Sequence, residues 1–83
     1  MNSGFYTRDE LEDFGFSRIG NNVLISRKAS IYGAKNMKIG SNVRIDDFCL
    51  LVGSIFLGDY IHIAAYTGLH ASMGSIVIES FST

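Results

Sequence analysis

The sequence predicts an all-β fold, a parallel β-helix of just over three coils preceded by one short helix, and three observations carry that prediction. Aliphatic residues open six-residue units: Ile19, Ile25 and Ile31, then Ile39, Ile45 and Leu51, then Leu57, Ile63 and Leu69, and finally Ile78. The fifth place of these units is apolar or small, as at Val23, Ala29, Val43, Cys49, Ile55 and Ile61. Glycine recurs at matching places, Gly20, Gly40 and Gly58. Self-similarity at a short fixed period marks a solenoid, because each unit buries its apolar side only by stacking on its neighbours.

Ahead of the first unit, Thr7-Arg8-Asp9-Glu10 has the form of a capping box, in which a threonine and the glutamate three residues on satisfy the first free amides of a helix. A short helix from about Arg8 to Phe14, ending at Gly15, follows, with Leu11 and Phe14 on one face. That face is suited to close the open bottom of the first coil. The chain then divides into a helical cap, residues 1–18, and repeat coils, residues 19–83, within a single domain.

A strict count of six would turn Lys35 and Met73 inward. Anchoring each unit on the residue two before the next aliphatic places Met37 and Ile76 inside instead and sends the surplus into turns. These turns are Tyr32 to Asn36, Val52 to Ser54 and His70 to Ser75, all at one corner of a triangular coil. Insertions gathered on one side of a repeat protein often mark its binding side. Gly20, Gly40 and Gly58 stack at another corner, where tight or left-handed backbone is expected. With this phasing Thr67 and Ser82 are the polar members of the inward set. A fourth coil opens at Ile78 and reaches only Thr83, and the strand edge left there invites end-to-end pairing with another copy.

Small domains bury a modest share of their surface, so a chain of 83 residues gains from further burial by self-association. The outward residues Leu24, Phe48, Leu50, Phe56, Tyr60, Tyr66, Val77 and Phe81 supply an apolar surface for it. A net charge of −1 without a basic run gives no reason to expect nucleic acid or an acidic membrane surface as partner. No apolar stretch is long enough to span a bilayer, the N-terminus lacks a signal-peptide layout, and a cytoplasmic location is expected. Cys49, on an inward place, reads as a small buried hydrophobe.

The hexads IGNNVL, IGSNVR with IDDFCL, and LGDYIH with IAAYTG resemble the hexapeptide-repeat acyltransferases, above all the bacterial sugar O-acetyltransferases of surface-polysaccharide clusters. The resemblance covers the whole chain. It implies a left-handed coil, against the usual right-handed crossover, and a homotrimer, or an end-to-end pair of trimers. It also implies acetyl-CoA as co-substrate in a cleft between subunits, and acetyl transfer to a sugar hydroxyl or amine. By the same comparison the chain corresponds to a truncated N-terminal part of such an enzyme. The alternative reading is a non-catalytic β-helix module that self-assembles.

In such enzymes a histidine serves as general base, a role suited to a side chain titrating near neutral pH. His70, in the segment TGLHASMGS at the corner where insertions gather, is the candidate catalytic residue, against the plainer reading of a solvent-facing loop residue. His62, between Ile61 and Ile63, points outward in a column with Leu24 and Arg44 and reads as an interface or surface residue. Asp46-Asp47 reads as an adjacent pair at a turn without an acid–base companion. The two histidines fall on different sides of the coil with no joining Cys or carboxylate cluster, so no metal is expected. Lys28, Lys35 and Lys38 read as a solvated rim before they read as ligands of a coenzyme phosphate, and no cofactor-binding residue is assigned.

Overall fold

Residues 4–80 are described by the computed structural model, so Phe81, Ser82 and the chain's last residue lie outside the described residues. After helix α1 (Arg8–Asp13) come β1 (Arg18–Ile19), β2 (Val23–Ile25), β3 (Ser30–Tyr32), β4 (Met37–Ile39), β5 (Val43–Ile45), β6 (Leu50–Leu57), β7 (His62–Ile63) and β8 (Gly68–Ile78). All strand pairs among them are parallel, and the chain winds a left-handed β-helix of roughly three coils.

Each face of the coil is a ladder in which like stands on like. On the first face Ile19 pairs with Ile39, Ile39 with Leu57 and Leu57 with Ile78, while Met37 pairs with Ile55 and Ile55 with Ile76. The second face stacks Val23 on Val43 and runs Ile25, Ile45, Ile63 in one column. On the third, Ile31, Leu51 and Leu69 are in register. Middle-coil members such as Met37, Ile39, Ile45, Leu51 and Leu57 are 0 % exposed, and burying each such side chain contributes about 1.5–3 kcal/mol. Ile19 and Ile31 below, and Leu69, Ile76 and Ile78 above, are only half-buried, because a coil covers them on one side alone. The phasing is decided by the two awkward positions: Lys35 is exposed and Met73 is 97 % exposed, whereas Met37 is fully buried.

The corner that takes the surplus residues differs from the expectation of three turns. β6 runs through it as one strand, and β8 follows β6 with Gly53 paired to Ala71 and Ser54 to Ser75, so the extra residues between Ala71 and Ser75 leave the ladder as a bulge. His70 is consequently a strand residue opposite Val52, not a loop residue. Pairing the backbone through the corner satisfies amides that a turn would leave to solvent. Only the first coil makes a separate element there, a 3₁₀ turn at Ala34–Asn36 whose Ala34 is buried.

The corner glycines also divide into two kinds. Gly33 and Gly53 are left-handed, with φ of 84° and 89°. Gly20, Gly40 and Gly58 are not; a Cβ on Gly40 would lie 2.5 Å from the Gly58 carbonyl oxygen, so glycine is required there for close stacking of coils. The left-handed residues of that corner stand two places later, at Asn22, Asn42 and Tyr60. Asn22 Nδ2 donates to Asn42 Oδ1 at 2.7 Å. Beside them each coil reaches up to the next: the backbone amides of Asn21, Ser41 and Asp59 donate to Ser41 Oγ, Asp59 Oδ1 and Ser80 Oγ.

Helix α1 closes the lower end. Thr7 Oγ1 accepts from the Glu10 amide and Glu10 Oε1 accepts from the Thr7 amide, the reciprocal capping box. Leu11 is 2 % exposed against the core, and Phe14 packs beside it with Tyr6 and Phe16. The open strand edges are covered as well. Arg8 donates to the Ile19 and Gly20 carbonyls, and Gly4 to Tyr6 runs antiparallel to the end of β2, with Tyr6 N donating to Ile25 O and Arg27 N to Gly4 O. The Arg27 guanidinium donates twice to the Glu10 carboxylate, and this, with the Thr7 amide, lowers the Glu10 pKa to about 2.

Two outcomes are expected. Gly53→Ala should lower the melting temperature more than Gly33→Ala. Both impose a left-handed alanine, at about 1–2 kcal/mol, but only at Gly53 would the Cβ meet a backbone oxygen, that of Ala71, at 2.2 Å. Equal melting temperatures for the two variants would contradict this account of the corner. Because the folded pKa of Glu10 lies below its ordinary value, its ionised form stabilises the fold above about pH 4.5, and that contribution is lost as pH falls toward about 2. The melting-temperature gap between wild type and Glu10→Gln should therefore be full above pH 4.5 and close below it.

Candidate functional site

On the second face β5 and β7 lie in register, with Arg44 opposite His62. Asp46 follows Arg44 by two residues, which returns its side chain to the same outward side of the strand. From there it reaches both neighbours: Arg44 Nε donates to Asp46 Oδ1 at 2.7 Å, and His62 Nε2 lies 2.7 Å from Asp46 Oδ2. Asp46 is the most enclosed of the three, its side chain 22 % exposed against 56 % for Arg44 and 58 % for His62. The His62 hydrogen bond first, and the Arg44 bond second, hold the Asp46 carboxyl below its ordinary range, against the opposing effect of burial.

An ionised carboxylate only accepts, so His62 Nε2 must carry the hydrogen. The neutral ring then keeps its lone pair on Nδ1. This is the arrangement of an oriented general base, a histidine whose tautomer and angle are fixed by an acid behind it. A hollow of about 410 Å³ lies on the Arg44 and Asp46 side of this group, lined by Gly4, Phe5, Arg44, Asp46, Asp47 and Ala65 and not by His62. Phe5 forms one wall, with the Arg44 guanidinium 5.5 Å from its ring centre. Asp47 is engaged elsewhere: its Oδ1 accepts from the buried Ser26 hydroxyl of the coil below, which in turn accepts from the Lys28 amide.

The expectation that Asp46 has no acid–base companion is thus corrected; His62 is an exposed surface residue, as expected, and in addition bonds Asp46. Sequence reasoning placed His62 above Arg44 but not beside Asp46, which stands one diagonal step away. His70 lies on another face, exposed, in a column with Tyr32 and Val52, and it makes no side-chain hydrogen bond to another described residue. It borders a separate hollow of about 300 Å³ formed by the bulge of β8. Cys49 is 2 % exposed with Sγ 3.0 Å from the Ala64 carbonyl oxygen, as befits a core residue. Lys28 lies over Phe48, 5.6 Å from its ring centre, and Phe48 stacks on Tyr66. Among the described residues no group of three or more His, Cys, Asp or Glu stands ready for a metal ion, and no helix is long and apolar enough to cross a membrane.

No protein-family model matches the chain. Individual relatives do. A dTDP-4-amino-4,6-dideoxy-D-glucose acyltransferase of Escherichia coli is 46 % identical over 76 residues, which are 88 % of this chain and 39 % of the relative. The crystal structure of AntD, an N-acyltransferase from Bacillus cereus in complex with dTDP and 3-hydroxybutyryl-CoA, superposes with a TM-score of 0.90 at 52 % identity, covering 95 % of this chain and 42 % of AntD. A serine variant of AntD in complex with dTDP and coenzyme A gives 0.93 at 49 % identity, covering 98 % and 43 %. The chain is a member of the hexapeptide-repeat acyltransferases. It spans about two fifths of the length of the relatives it matches. The Escherichia coli relative is an acyltransferase of a dTDP-linked amino sugar and AntD is an N-acyltransferase, whereas the sequence resemblance alone points foremost to sugar O-acetyltransferases.

The geometry makes a measurable demand on Asp46. Replacing His62 by alanine removes the leading cause of its lowered pKa, so the Asp46 carboxyl should titrate higher in His62→Ala, and by a smaller step in Arg44→Ala. Carboxyl-detected NMR titration reads this directly, and an unmoved Asp46 in His62→Ala would show that the two side chains do not bond in solution.

Proposed function

We propose that this protein moves an acyl group from a coenzyme A thioester to the amine of a nucleotide-linked amino sugar. The observation that carries the proposal is the Asp46–His62 pair on the outer face of a coil whose relatives are N-acyltransferases. The sugar nitrogen attacks the thioester carbonyl, a C–N bond forms and the C–S bond breaks. His62 Nδ1 takes the proton the nitrogen must lose, and the departing sulfur leaves as coenzyme A thiol once protonated. Asp46 stabilises the imidazolium that forms, as a carboxylate behind a catalytic histidine does.

Acetyl-CoA is the simplest donor for this chemistry, and 3-hydroxybutyryl-CoA is the acyl donor seen with AntD. A dTDP-linked 4-amino-4,6-dideoxyglucose is the first acceptor to try. Assembly as a homotrimer, with the cleft between subunits, is supported by the outward apolar side chains, Phe48 at 51 %, Tyr66 at 78 % and Val77 at 60 % exposure. A cytoplasmic site of action belongs to the same reading, since coenzyme A thioesters are its donors. The reading of a self-assembling module without activity is not favoured, as the relatives are named for catalysis. His70 is the second candidate base, on the strength of its place beside the β8 bulge.

The test is turnover by the chain itself, followed as free thiol release and as mass gain of the amino sugar. His62→Ala should lower kcat/KM by about 10²- to 10⁴-fold, while His70→Ala should leave it within a small factor of wild type. The opposite pattern would assign the base to His70. The absence of both turnover and coenzyme A binding in the wild-type chain would overturn the proposal.

A further inference from the structure

The arginines of the chain differ in how much of each guanidinium is already used. Arg27 donates from both terminal nitrogens to Glu10, and Arg8 from both of its own to the Ile19 and Gly20 carbonyls. Arg44 donates only from Nε, to Asp46 Oδ1, and its terminal nitrogens have no acceptor among the described residues. They are nevertheless held in place. One side of the guanidinium lies on the Phe5 ring, 5.5 Å from its centre. Phe5 is itself fixed through the backbone: it bridges Ser26, while Gly4 and Tyr6 bond the main chain of Arg27 and Ile25. Asp47 lines the same hollow as Arg44 but makes no ion pair with it, being drawn down to the Ser26 hydroxyl. A planar, always-charged fork, oriented in advance and with donors to spare, suits a place where negative charge appears during a reaction.

The position of Arg44 beside His62 gives that charge an identity. The two residues stand opposite each other in register on adjacent strands, about 4.8 Å apart, and flank one carboxylate. When a nitrogen attacks a thioester carbonyl, charge builds on the carbonyl oxygen while the nitrogen becomes acidic. Hydrogen bonds of about 3 Å on either side of such a centre span roughly 6–8 Å. Two long side chains on neighbouring rungs cover that span. The charges also balance. Before the attack Arg44 and Asp46 cancel and the ring of His62 is neutral. After it, an imidazolium and an oxyanion have been added; Asp46 faces the first, and only Arg44 is left to face the second.

We infer that Arg44 is a second catalytic residue, whose terminal nitrogens hold the carbonyl oxygen of the acyl donor as it becomes an oxyanion, opposite the His62 base. The inference rests on the acyl-transfer reading above. Since Arg44 lines the hollow and His62 does not, the reacting carbonyl belongs at the mouth of the hollow, its oxygen toward Arg44 and the attacking nitrogen toward His62. As the C–N bond forms, the carbonyl electron pair moves onto oxygen and His62 Nδ1 takes the proton from nitrogen. The pair then returns to remake the carbonyl, the C–S bond breaks, and the sulfur leaves with the proton that His62 held. Arg44 keeps all its protons throughout and contributes charge and direction alone.

Steady-state kinetics on the whole chain test this. Arg44→Ala should lower kcat by about 10²- to 10³-fold while KM stays within a small factor of wild type. Arg44→Lys, which keeps the charge and loses the fork, should stay well below wild type, and added guanidinium should restore part of the activity of Arg44→Ala where methylammonium does not. A double variant separates catalysis from support of the base. In a His62→Ala background, Arg44→Ala should still lower the residual kcat by about tenfold or more; no further loss would make Arg44 only a support for His62 and overturn the inference. A rise in KM with kcat unchanged would overturn it as well, since Arg44 would then bind the ground state alone. Circular dichroism checks that the variants, altered at exposed outward positions, keep the coil. Turnover that needs His62 but tolerates Arg44→Ala removes this inference and leaves the acyl-transfer reading standing, whereas a wild-type chain without turnover removes both.

Discussion

The structure depends on the register of one coil upon the next. Parallel neighbours lie about 4.8 Å apart, and every inward column is kept aliphatic across that step, as in Ile25, Ile45 and Ile63 or Ile39, Leu57 and Ile78. A slip of one residue would turn a whole column to solvent. The corners reinforce the same register by a different chemistry. Gly40 fits only beneath the backbone of Gly58, Asn22 bonds Asn42, and the amides of Asn21, Ser41 and Asp59 are each satisfied by a side chain of the coil above. Once the inner face is aligned, the outer face has no freedom left. Arg44 must meet His62, and Lys38 must stand over Arg18, because Ile45 meets Ile63 and Ile39 stands over Ile19.

That dependence explains what could be read from the residues alone. The inward set follows from a repeat that tolerates no polar residue in the middle coil, so placing Met37 inside and Lys35 outside needed nothing but the position of Ile39. The cap was equally readable, since a capping box and a Leu11–Phe14 face are local features. The corners were less so. Whether a surplus residue makes a turn, a 3₁₀ segment or a strand bulge is settled by which backbone groups find partners in the adjacent coil, and no local pattern records that choice. The glycines misled for a related reason: the residue type is the same for a left-handed φ at Gly53 and for close approach at Gly40.

Asp46 and His62 show the limit most plainly. Column reasoning compares residues directly above one another, and by that rule His62 has Arg44 beneath it. The bond runs on the diagonal, from His62 to the residue two beyond Arg44, a distance that adjacent strands allow for side chains of this length. The pattern was present in the sequence as Arg44-x-Asp46 beneath His62. Adjacency to Asp47 suggests half of a turn pair and hides it, yet the two acids serve different coils: Asp46 bonds up to His62 and Asp47 bonds down to Ser26.

The cap and the site are coupled through one short segment. Gly4 to Tyr6 pairs with the end of β2, which seals the lower edge of the second face, and the same segment sets the Phe5 ring against the Arg44 guanidinium. Arg44 is therefore held from two sides, by an aromatic face and by the Asp46 carboxylate. Its fixed charge adds to the His62 hydrogen bond, the larger cause, in holding that carboxylate below its ordinary range. An Asp46 that stays ionised holds the neutral ring in the Nε2–H tautomer, and the basic nitrogen is then always the one that faces away from Asp46. The arginine, positioned by the N-terminal segment, adds a second bond to the carboxylate and so helps fix its orientation behind the ring.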